Sequence, residues 1–159
     1  MARKEIRESK FSAALRPLLG GEYDVIRCET AIEDGFSDIL LIRKSDGLPC
    51  FIELKQIDHF TNTGYTRIDL DPIQPIFLRN RILANDLVGA AVMLRVGERE
   101  LYTFPAHKDP YWGKWVRSKL YPDQIAMPFC LKHSFSQIPL ALDAAYNARF
   151  TGAALPPIN

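Results

Sequence analysis

The stretch from Gly35 to Lys55, GFSDILLIRKSDGLPCFIELK, constrains the fold more than any other part of the chain. It contains two apolar runs, residues 39–42 and 50–52, separated by the dipeptide Asp46-Gly47. Short apolar runs on either side of an Asp-Gly dipeptide are typical of a β-hairpin with a two-residue type I′ turn. The sequence therefore predicts two neighbouring antiparallel strands joined by a tight turn.

Three charged residues interrupt the predicted hairpin: Asp38, Glu53 and Lys55. If Asp46 and Gly47 are the central turn residues, Asp38 lies opposite Lys55. Glu53 and Lys55 are two positions apart, so they point to the same face of the strand. The diagonal from Asp38 to Glu53 is then about 7–8 Å, within reach of one bridging ion. The hairpin is thus predicted to collect two carboxylates and one ammonium group on one face.

Such charges between apolar strands are costly unless they are paired, hydrogen-bonded or bound to a metal. One interpretation is structural: Asp38 forms a salt bridge with Lys55, and Glu53 lies at a solvated strand end. The other is a metal site, because two carboxylates and a backbone carbonyl suit Mg²⁺ or Mn²⁺, which prefer oxygen ligands. A lysine beside that metal can orient a water and stabilise charge developing on a phosphate.

The pattern of Asp38, fourteen intervening residues and then Glu53-Leu54-Lys55 resembles the PD-(D/E)XK nuclease superfamily. The text around these residues, with Gln74 downstream, is most similar to the VRR-NUC and phage branches. The resemblance covers about residues 3–104. Ser37 stands where the name-giving proline of the superfamily usually lies, a position that is variable and not itself catalytic.

The resemblance implies a restriction-endonuclease-like α/β core, in which a central mixed sheet is flanked by helices in the order αβββαβ. It implies a metal-dependent DNA endonuclease acting in phage DNA processing, branched-DNA resolution or repair. DNA would be the partner, and a homodimer is compatible with cutting both strands. Mg²⁺ or Mn²⁺ would be held by Asp38, Glu53 and the Leu54 carbonyl. The catalytic residues would be Asp38, Glu53, Lys55, Gln74 and Glu8.

An amphipathic helix is predicted from Arg3 to Leu19. Glu8 falls at helical spacing with Phe11 and therefore lies at the edge of the inward face, whereas Glu5 points more outward. In the resembling superfamily a glutamate of the first helix often completes the metal site, which favours Glu8 over Glu5. The alternative is a glutamate that the helix dipole favours near the N-terminus.

Asp71 and Pro72 begin the next predicted helix, with Asp71 as N-cap and Gln74 completing a capping box. The superfamily often carries a glutamine here near the active site, so the capping and the functional interpretations of Gln74 both stay open. The polar segment 56–71 is predicted to be a mobile arch over nucleic acid or a flexible surface loop. Its candidate nucleic-acid contacts are His59, Tyr65 and Arg67.

Strands are predicted at residues 88–95 and 101–104, and residues 107–119 then interleave basic and aromatic side chains. That mixture suits phosphate contact and base stacking, although an ordinary packing segment has the same composition. The predicted nucleic-acid-binding residues are Arg67, Arg79, Lys108, Trp112, Lys114 and Arg117. A further strand is expected within 125–135, a helix over 139–150 and a frayed tail over 151–159.

The composition bounds these interpretations. The chain has 159 residues, enough for one domain with a core, and 20 basic against 19 acidic residues give a net charge of +1. This balance neither supports nor excludes nucleic-acid binding. No stretch is long and apolar enough to span a membrane, and three scattered cysteines predict neither disulfides nor structural zinc. A reducing cytoplasm, bacterial or phage-infected, is expected.

Two other functions remain open from the sequence. One is a catalytically inactive nuclease-fold module that binds nucleic acid or a protein. The other is a small α/β interaction protein in which the three charges form a structural ion pair. A metal ion distinguishes them from the enzyme, because a ligand that binds only the folded state stabilises it.

Overall fold

A computed structural model describes residues 2–28, 37–121, 129–147 and 155–158, with side chains from Ser9 onward in the first range and up to Tyr146 in the third. The helices are α1 (Ala2–Leu19), α2 (Ile73–Ala84), α3 (Trp112–Val116) and α4 (Ile138–Asn147). The strands are β1 (Tyr23–Arg27), β2 (Ile39–Arg43), β3 (Pro49–Ile57), β4 (Gly89–Val96), β5 (Glu100–Pro105) and β6 (Leu131–Ser134). None of the described helices is long and apolar enough to cross a membrane.

The six strands form one sheet in chain order, β1-β2-β3-β4-β5-β6. β3 and β4 are parallel, whereas the other neighbouring pairs are antiparallel. A parallel pair needs a crossover connection, and here residues 58–88, including α2, supply it. The predicted fold class is confirmed: a mixed sheet flanked by helices, with αβββαβ as its first elements, is the restriction-endonuclease-like core.

Each face of the sheet is covered by a separate apolar core. On one face α1 and α4 pack against the strands through residues such as Phe11 and Leu142. On the other face lie α2, α3 and the segments around them, with Trp112 and Trp115 among the buried residues. β3 serves both cores because its side chains alternate: Ile52 belongs to the first core, and Phe51 packs against the second.

The β2–β3 hairpin is confirmed, but its predicted register is wrong. Ile39 pairs with Ile52, which places Asp38 one step beyond, in line with Glu53 and not with Lys55. The loop has four residues, 44–47, closed by a hydrogen bond from Arg43 N to the Leu48 carbonyl (3.0 Å). The register differs from the predicted one by two residues, so every side chain keeps its predicted face.

The loop is longer than predicted because Asp46 does not adopt a type I′ conformation. That turn needs positive φ at both central residues, and among the described residues only glycines have it, including Gly47 at 72°. Asp46 accepts a hydrogen bond from Leu48 N (3.1 Å) and binds the Arg43 guanidinium. These contacts stabilise a four-residue loop.

The second half of the segment that follows β3 is packed, so the prediction of a mobile or flexible loop is wrong for residues 66–70. Ile68 and Leu70 are buried in the core beneath α2 and α3. Thr66 pairs with Leu120 through two backbone hydrogen bonds of 3.0 and 2.8 Å. The tight turn at residues 61–65 is exposed except for half-buried Tyr65. The segment is therefore anchored along its second half, over residues 66–70.

The C-terminal part forms a strand and a helix, as expected, at β6 and α4. Residues 122–128 and 148–154 lie outside the described residues. The tail was predicted to fray from residue 151 onward, yet Leu155 packs against the core on the α2 face.

Candidate active site

Glu53 and Lys55 lie on the face of β3 that α2 covers, beside the apolar side chains of Phe51, Val92 and Leu94. Glu53 is 1% exposed and Lys55 is 7% exposed. Lys55 Nζ lies 3.2 Å from Glu53 Oε1, so the two side chains form a buried ion pair within one strand. The alternative in which Glu53 lies at a solvated strand end is therefore wrong.

Gln74, in the first turn of α2, reaches the same carboxylate. Its Nε2 donates to Glu53 Oε1 over 2.5 Å. Oε1 of Glu53 thus serves both Lys55 and Gln74, while Oε2 is buried and accepts no hydrogen bond from the described residues. A buried carboxylate oxygen without a donor is costly, which makes Oε2 the atom of this site that calls for a ligand.

The pKa of Glu53 is raised from 4.5 to about 8. Burial is the largest cause, and the nearby Asp38 carboxylate adds to it. The Lys55 ammonium opposes both but does not outweigh them. In the absence of a cation the Glu53 carboxyl therefore holds its proton to a higher pH than an exposed carboxyl does, as expected when two carboxyl groups share a poorly solvated space.

Asp38 is held by the backbone between Glu53 and Lys55. Its Oδ2 accepts a hydrogen bond from Leu54 N over 2.8 Å. In a strand the N–H and C=O of one residue point to the same edge, so the Leu54 carbonyl faces the side on which Asp38 lies. From the sequence, only the carbonyl of Leu54 was predicted to take part in the site. Its N–H, which positions Asp38, becomes identifiable once the correct hairpin register is known.

Gln74 also caps the helix that carries it. Its Oε1 accepts from Asp71 N (2.8 Å), and Asp71 Oδ1 accepts from Ile73 N (3.1 Å). The two interpretations of Gln74 are therefore compatible, because one amide uses its oxygen for the cap and its nitrogen for Glu53. Asp71 was predicted only as an N-cap. In the structure its backbone N–H also donates to Gln74, whose side-chain amide contacts Glu53.

The predicted contribution of α1 stays a prediction, because the side chains of Glu5 and Glu8 lie outside the described ones. α1 itself packs through Phe11, Leu15 and Leu19 on the sheet face opposite Glu53.

Trp112 was predicted to contact nucleic acid, and the structure places it elsewhere. It is 1% exposed and belongs to the core beneath α2 and α3. A buried ring presents no face for base stacking. For Trp112 the alternative interpretation, an ordinary packing segment, is therefore the correct one.

Two predicted phosphate contacts have protein partners. Arg79 donates through Nε and Nη2 to the Lys108 carbonyl, over 2.9 and 2.6 Å. Lys108 Nζ lies 2.6 Å from Asp86 Oδ1. These contacts tie α2 to the segment before α3 and leave both side chains partly accessible.

Arg67, Lys114 and Arg117 are exposed, as nucleic-acid contacts would be. Arg117 Nε donates to the Leu70 carbonyl over 3.2 Å, next to the residue that begins the α2 cap. The side chain of Arg117 is therefore bound to the backbone of the segment that precedes α2. Nucleic-acid binding by these residues remains a prediction.

The donor set fits a hard divalent cation. Within the described part of the chain, no three His, Cys, Asp or Glu side chains cluster as a metal site. The described protein ligands would therefore be the Asp38 and Glu53 carboxylates and the Leu54 carbonyl. Oxygen ligands of this kind suit Mg²⁺ or Mn²⁺ rather than a softer metal. The unpartnered Glu53 Oε2 supplies the specific atom for such an ion.

Comparison with known protein families finds no family model that matches the chain, and comparison with curated proteins finds no match. Among solved structures, the chain is similar to Hjc, a Holliday junction resolvase from the hyperthermophilic archaeon Archaeoglobus fulgidus. The two are 17% identical, with a TM-score of 0.46, and the match covers 83% of this chain and 92% of that chain. Function therefore has to be argued from the site itself.

Proposed function

We propose that this chain is a divalent-metal-dependent endonuclease that hydrolyses phosphodiester bonds in DNA. The observation that supports it is the buried Glu53 carboxylate, with one oxygen bound by Lys55 and Gln74 and the other without a hydrogen bond from the described residues. A purely structural ion pair does not need a second carboxylate beside it. Asp38 lies close enough to raise the pKa of Glu53, which costs stability unless a cation enters.

In this proposal Asp38, Glu53 and the Leu54 carbonyl would hold Mg²⁺ or Mn²⁺. When bound, such an ion would acidify a water and stabilise charge on the phosphate. Lys55 offsets negative charge at the reacting phosphate and orients the attacking water. Gln74 fixes the orientation of Glu53 through its Nε2, so that Oε2 stays directed into the site.

The substrate is proposed only as DNA, with branched-DNA resolution, repair and phage DNA processing as the settings to distinguish. Exposed Arg67, Lys114 and Arg117 would contribute phosphate contacts. A set of supercoiled plasmid, linear duplex, single strand and four-way junction covers these alternatives. The junction is included because branched-DNA resolution is one of the proposed settings.

The test measures cleavage of each substrate with Mn²⁺ or Mg²⁺ and with chelator, for the wild-type chain, Glu53→Ala and Glu98→Ala. Glu98 is an exposed glutamate in the β4–β5 turn, so it is the matched control. We expect metal-dependent cleavage that is lost in Glu53→Ala and kept in Glu98→Ala. Cleavage that persists in Glu53→Ala would overturn the assignment of the site.

Binding of metal is measured separately by thermal unfolding with Mn²⁺ and with Ca²⁺. A cation that binds only the folded state raises the unfolding temperature, and we expect that rise to disappear in Asp38→Ala. Metal stabilisation with DNA binding but no cleavage would replace the enzyme by an inactive nuclease-fold module. Absence of both cleavage and stabilisation would leave the three charges as a structural cluster.

A further inference from the structure

Three hydrogen bonds in series connect the surface of the protein to the buried Glu53 carboxylate. Arg117 Nε donates to the Leu70 carbonyl over 3.2 Å. Asp71 N donates to Gln74 Oε1 over 2.8 Å, and Gln74 Nε2 donates to Glu53 Oε1 over 2.5 Å. The Leu70 carbonyl and the Asp71 N–H belong to the same peptide group, so the three bonds form one continuous chain.

This chain of hydrogen bonds leads from solvent to the interior. The Arg117 side chain is exposed, Gln74 is half-buried and Glu53 is 1% exposed. The C=O and N–H of a trans peptide group point in opposite directions. Arg117 therefore binds one side of the Leu70–Asp71 peptide, while Gln74 binds the other. Two amide groups separate the guanidinium from the carboxylate.

Both amide groups are oriented so that each hydrogen bond strengthens the next. In the Leu70–Asp71 peptide and in the Gln74 side chain alike, the oxygen accepts and the nitrogen donates. The orientation of the Gln74 amide follows from its partners, because a backbone N–H needs an acceptor and a carboxylate oxygen needs a donor. Hydrogen bonds in such a chain polarise one another by about 10–30% per bond. The first donor is a cation, and charged donors form stronger hydrogen bonds than neutral ones.

We propose that Arg117 is a positioning residue that orients the Gln74 amide through the Leu70–Asp71 peptide. The oriented amide in turn holds the Glu53 carboxylate in place, and the effect on cleavage rests on the proposed function. This role differs from the phosphate contact that the sequence predicts for Arg117, because it needs the Nε donor and not only a positive charge. A bond that merely fastened the end of α3 to the segment before α2 would leave the Gln74 amide unaffected.

Two substitutions of Arg117 separate the hydrogen-bond donor from the charge. In Arg117→Gln the side-chain nitrogen follows the same number of carbons as Nε does in arginine, so a neutral donor remains, whereas Arg117→Met has none. Both variants lose the positive charge and its attraction for phosphate, so a difference between them measures the hydrogen bond. Arg99→Gln, at an exposed arginine in the β4–β5 turn, is the matched control. Circular dichroism verifies that each variant is folded.

The first measurement is the NMR resonance of the Gln74 side-chain amide, assigned by its absence from the spectrum of Gln74→Met. A weaker hydrogen bond moves an amide proton upfield, so we expect an upfield shift in Arg117→Met and a smaller one in Arg117→Gln. The side-chain amide of Gln137, in the capping box at residues 134–137, should not shift and serves as internal reference. An unshifted Gln74 resonance in Arg117→Met, or equal shifts in the two variants, would overturn the inference.

The second measurement is steady-state cleavage of DNA with Mn²⁺. We expect kcat to fall about fivefold in Arg117→Met and about twofold in Arg117→Gln, as for the loss and the weakening of one hydrogen bond. KM should rise equally in both, and Arg99→Gln should match the wild-type chain. Equal kcat values for the two Arg117 variants would also overturn the inference.

The two measurements distinguish failure of this inference from failure of the proposed function. If the wild-type chain cleaves no DNA while the Gln74 resonance shifts as expected, the proposed function is wrong and the positioning role of Arg117 is supported. Metal-dependent cleavage by the wild-type chain, together with an unshifted Gln74 resonance in Arg117→Met, contradicts the positioning role alone.

Discussion

Gln74 connects a helix cap to a buried carboxylate, because its Nε2 donates to Glu53 Oε1 over 2.5 Å while its Oε1 accepts from Asp71 N over 2.8 Å. Gln74→Ala removes both bonds. We expect it to lower the free energy of unfolding by about 2 kcal/mol, of which the cap accounts for about half. Urea denaturation measures the loss.

The matched control is Gln137→Ala. Gln137 closes a capping box through Ser134 N (3.2 Å) at the 3₁₀ helix before α4. Its loss should cost about 1 kcal/mol and leave DNA cleavage unchanged, whereas Gln74→Ala should slow cleavage. Equal effects of the two variants on cleavage would contradict the link between Gln74 and the site.

Glu53 should make the stability of the metal-free protein depend on pH. Its pKa is about 8 in the folded state and 4.5 ordinarily, so the folded state binds this proton more tightly than the unfolded state does. The stabilisation that the Glu53 carboxyl contributes to the folded state is fully present below pH 4.5. It decreases as the pH rises, and above about pH 8 the stability no longer changes on account of this group. The slope approaches about 1.4 kcal/mol per pH unit.

Glu53→Gln should remove this dependence of stability on pH. Above about pH 8 the variant should therefore be more stable than the wild-type chain. Denaturation in the presence of chelator, across the same pH range, gives the difference between the two chains. Other groups, such as Asp46 with its lowered pKa, contribute equally to both. Parallel curves for the two chains would show that Glu53 ionises normally.

Lys55→Met should cost more stability while Glu53 is present than in its absence. The ammonium lies 3.2 Å from Glu53 Oε1, and removing one partner of a buried ion pair costs about 3–5 kcal/mol. Protonation of Glu53 limits the cost, so we expect about 3 kcal/mol above pH 8 and less below it. In the Glu53→Gln background the same change should cost less, and a double-mutant cycle measures the coupling.

Gly89→Ala tests the packing of α4 on the sheet. An added Cβ would lie 2.8 Å from Cys50 Sγ and 3.1 Å from a ring carbon of Tyr146. Overpacking of this kind costs about 1–3 kcal/mol. Gly21→Ala is the control, since nothing lies within 4 Å of its added Cβ. Thermal unfolding should separate the two variants, and equal unfolding temperatures would contradict the close approach of β4 to Tyr146.

The three cysteines should differ in reactivity. Burial raises the pKa of the Cys50 and Cys130 thiols far above the usual range, whereas Cys28 is half-buried and shifts less. A thiol reagent at mildly alkaline pH should therefore label Cys28 in the native protein, and all three after unfolding. Rapid native labelling of Cys50 or Cys130 would indicate that one of the two cores is open to solvent.

The side-chain faces of the hairpin could be predicted from the sequence, but the cross-strand partner of Asp38 could not. The sheet face to which a side chain points alternates along a strand. A register error of two residues therefore keeps Asp38, Glu53 and Lys55 on the same face. The partner depends on loop length. A side-chain contact between Asp46 and Arg43, which an Asp-Gly dipeptide does not reveal, decides that length.

Burial of individual side chains was predicted less well. Basic and aromatic residues interleaved over 107–119 suit either nucleic acid or a core, and only the packing beneath α2 shows that Trp112 is internal. Similarly, the polar residues 56–65 led to the prediction of one loop over 56–71. That prediction missed the alternation by which Thr66, Ile68 and Leu70 are buried. Composition alone does not distinguish a loop from an extended segment that lies along a core.

The crossover between the parallel strands β3 and β4 has a consequence for folding kinetics. Asp38, Glu53 and Lys55 all belong to one local hairpin, whereas Gln74 belongs to the long connection between the parallel strands β3 and β4. A hairpin forms in about 1–10 μs, and pairings of long sequence separation form more slowly because of the entropy of loop closure. We therefore expect maturation of the site to be a late event, with a rate set by docking of α2 rather than by formation of the strands that carry the charges.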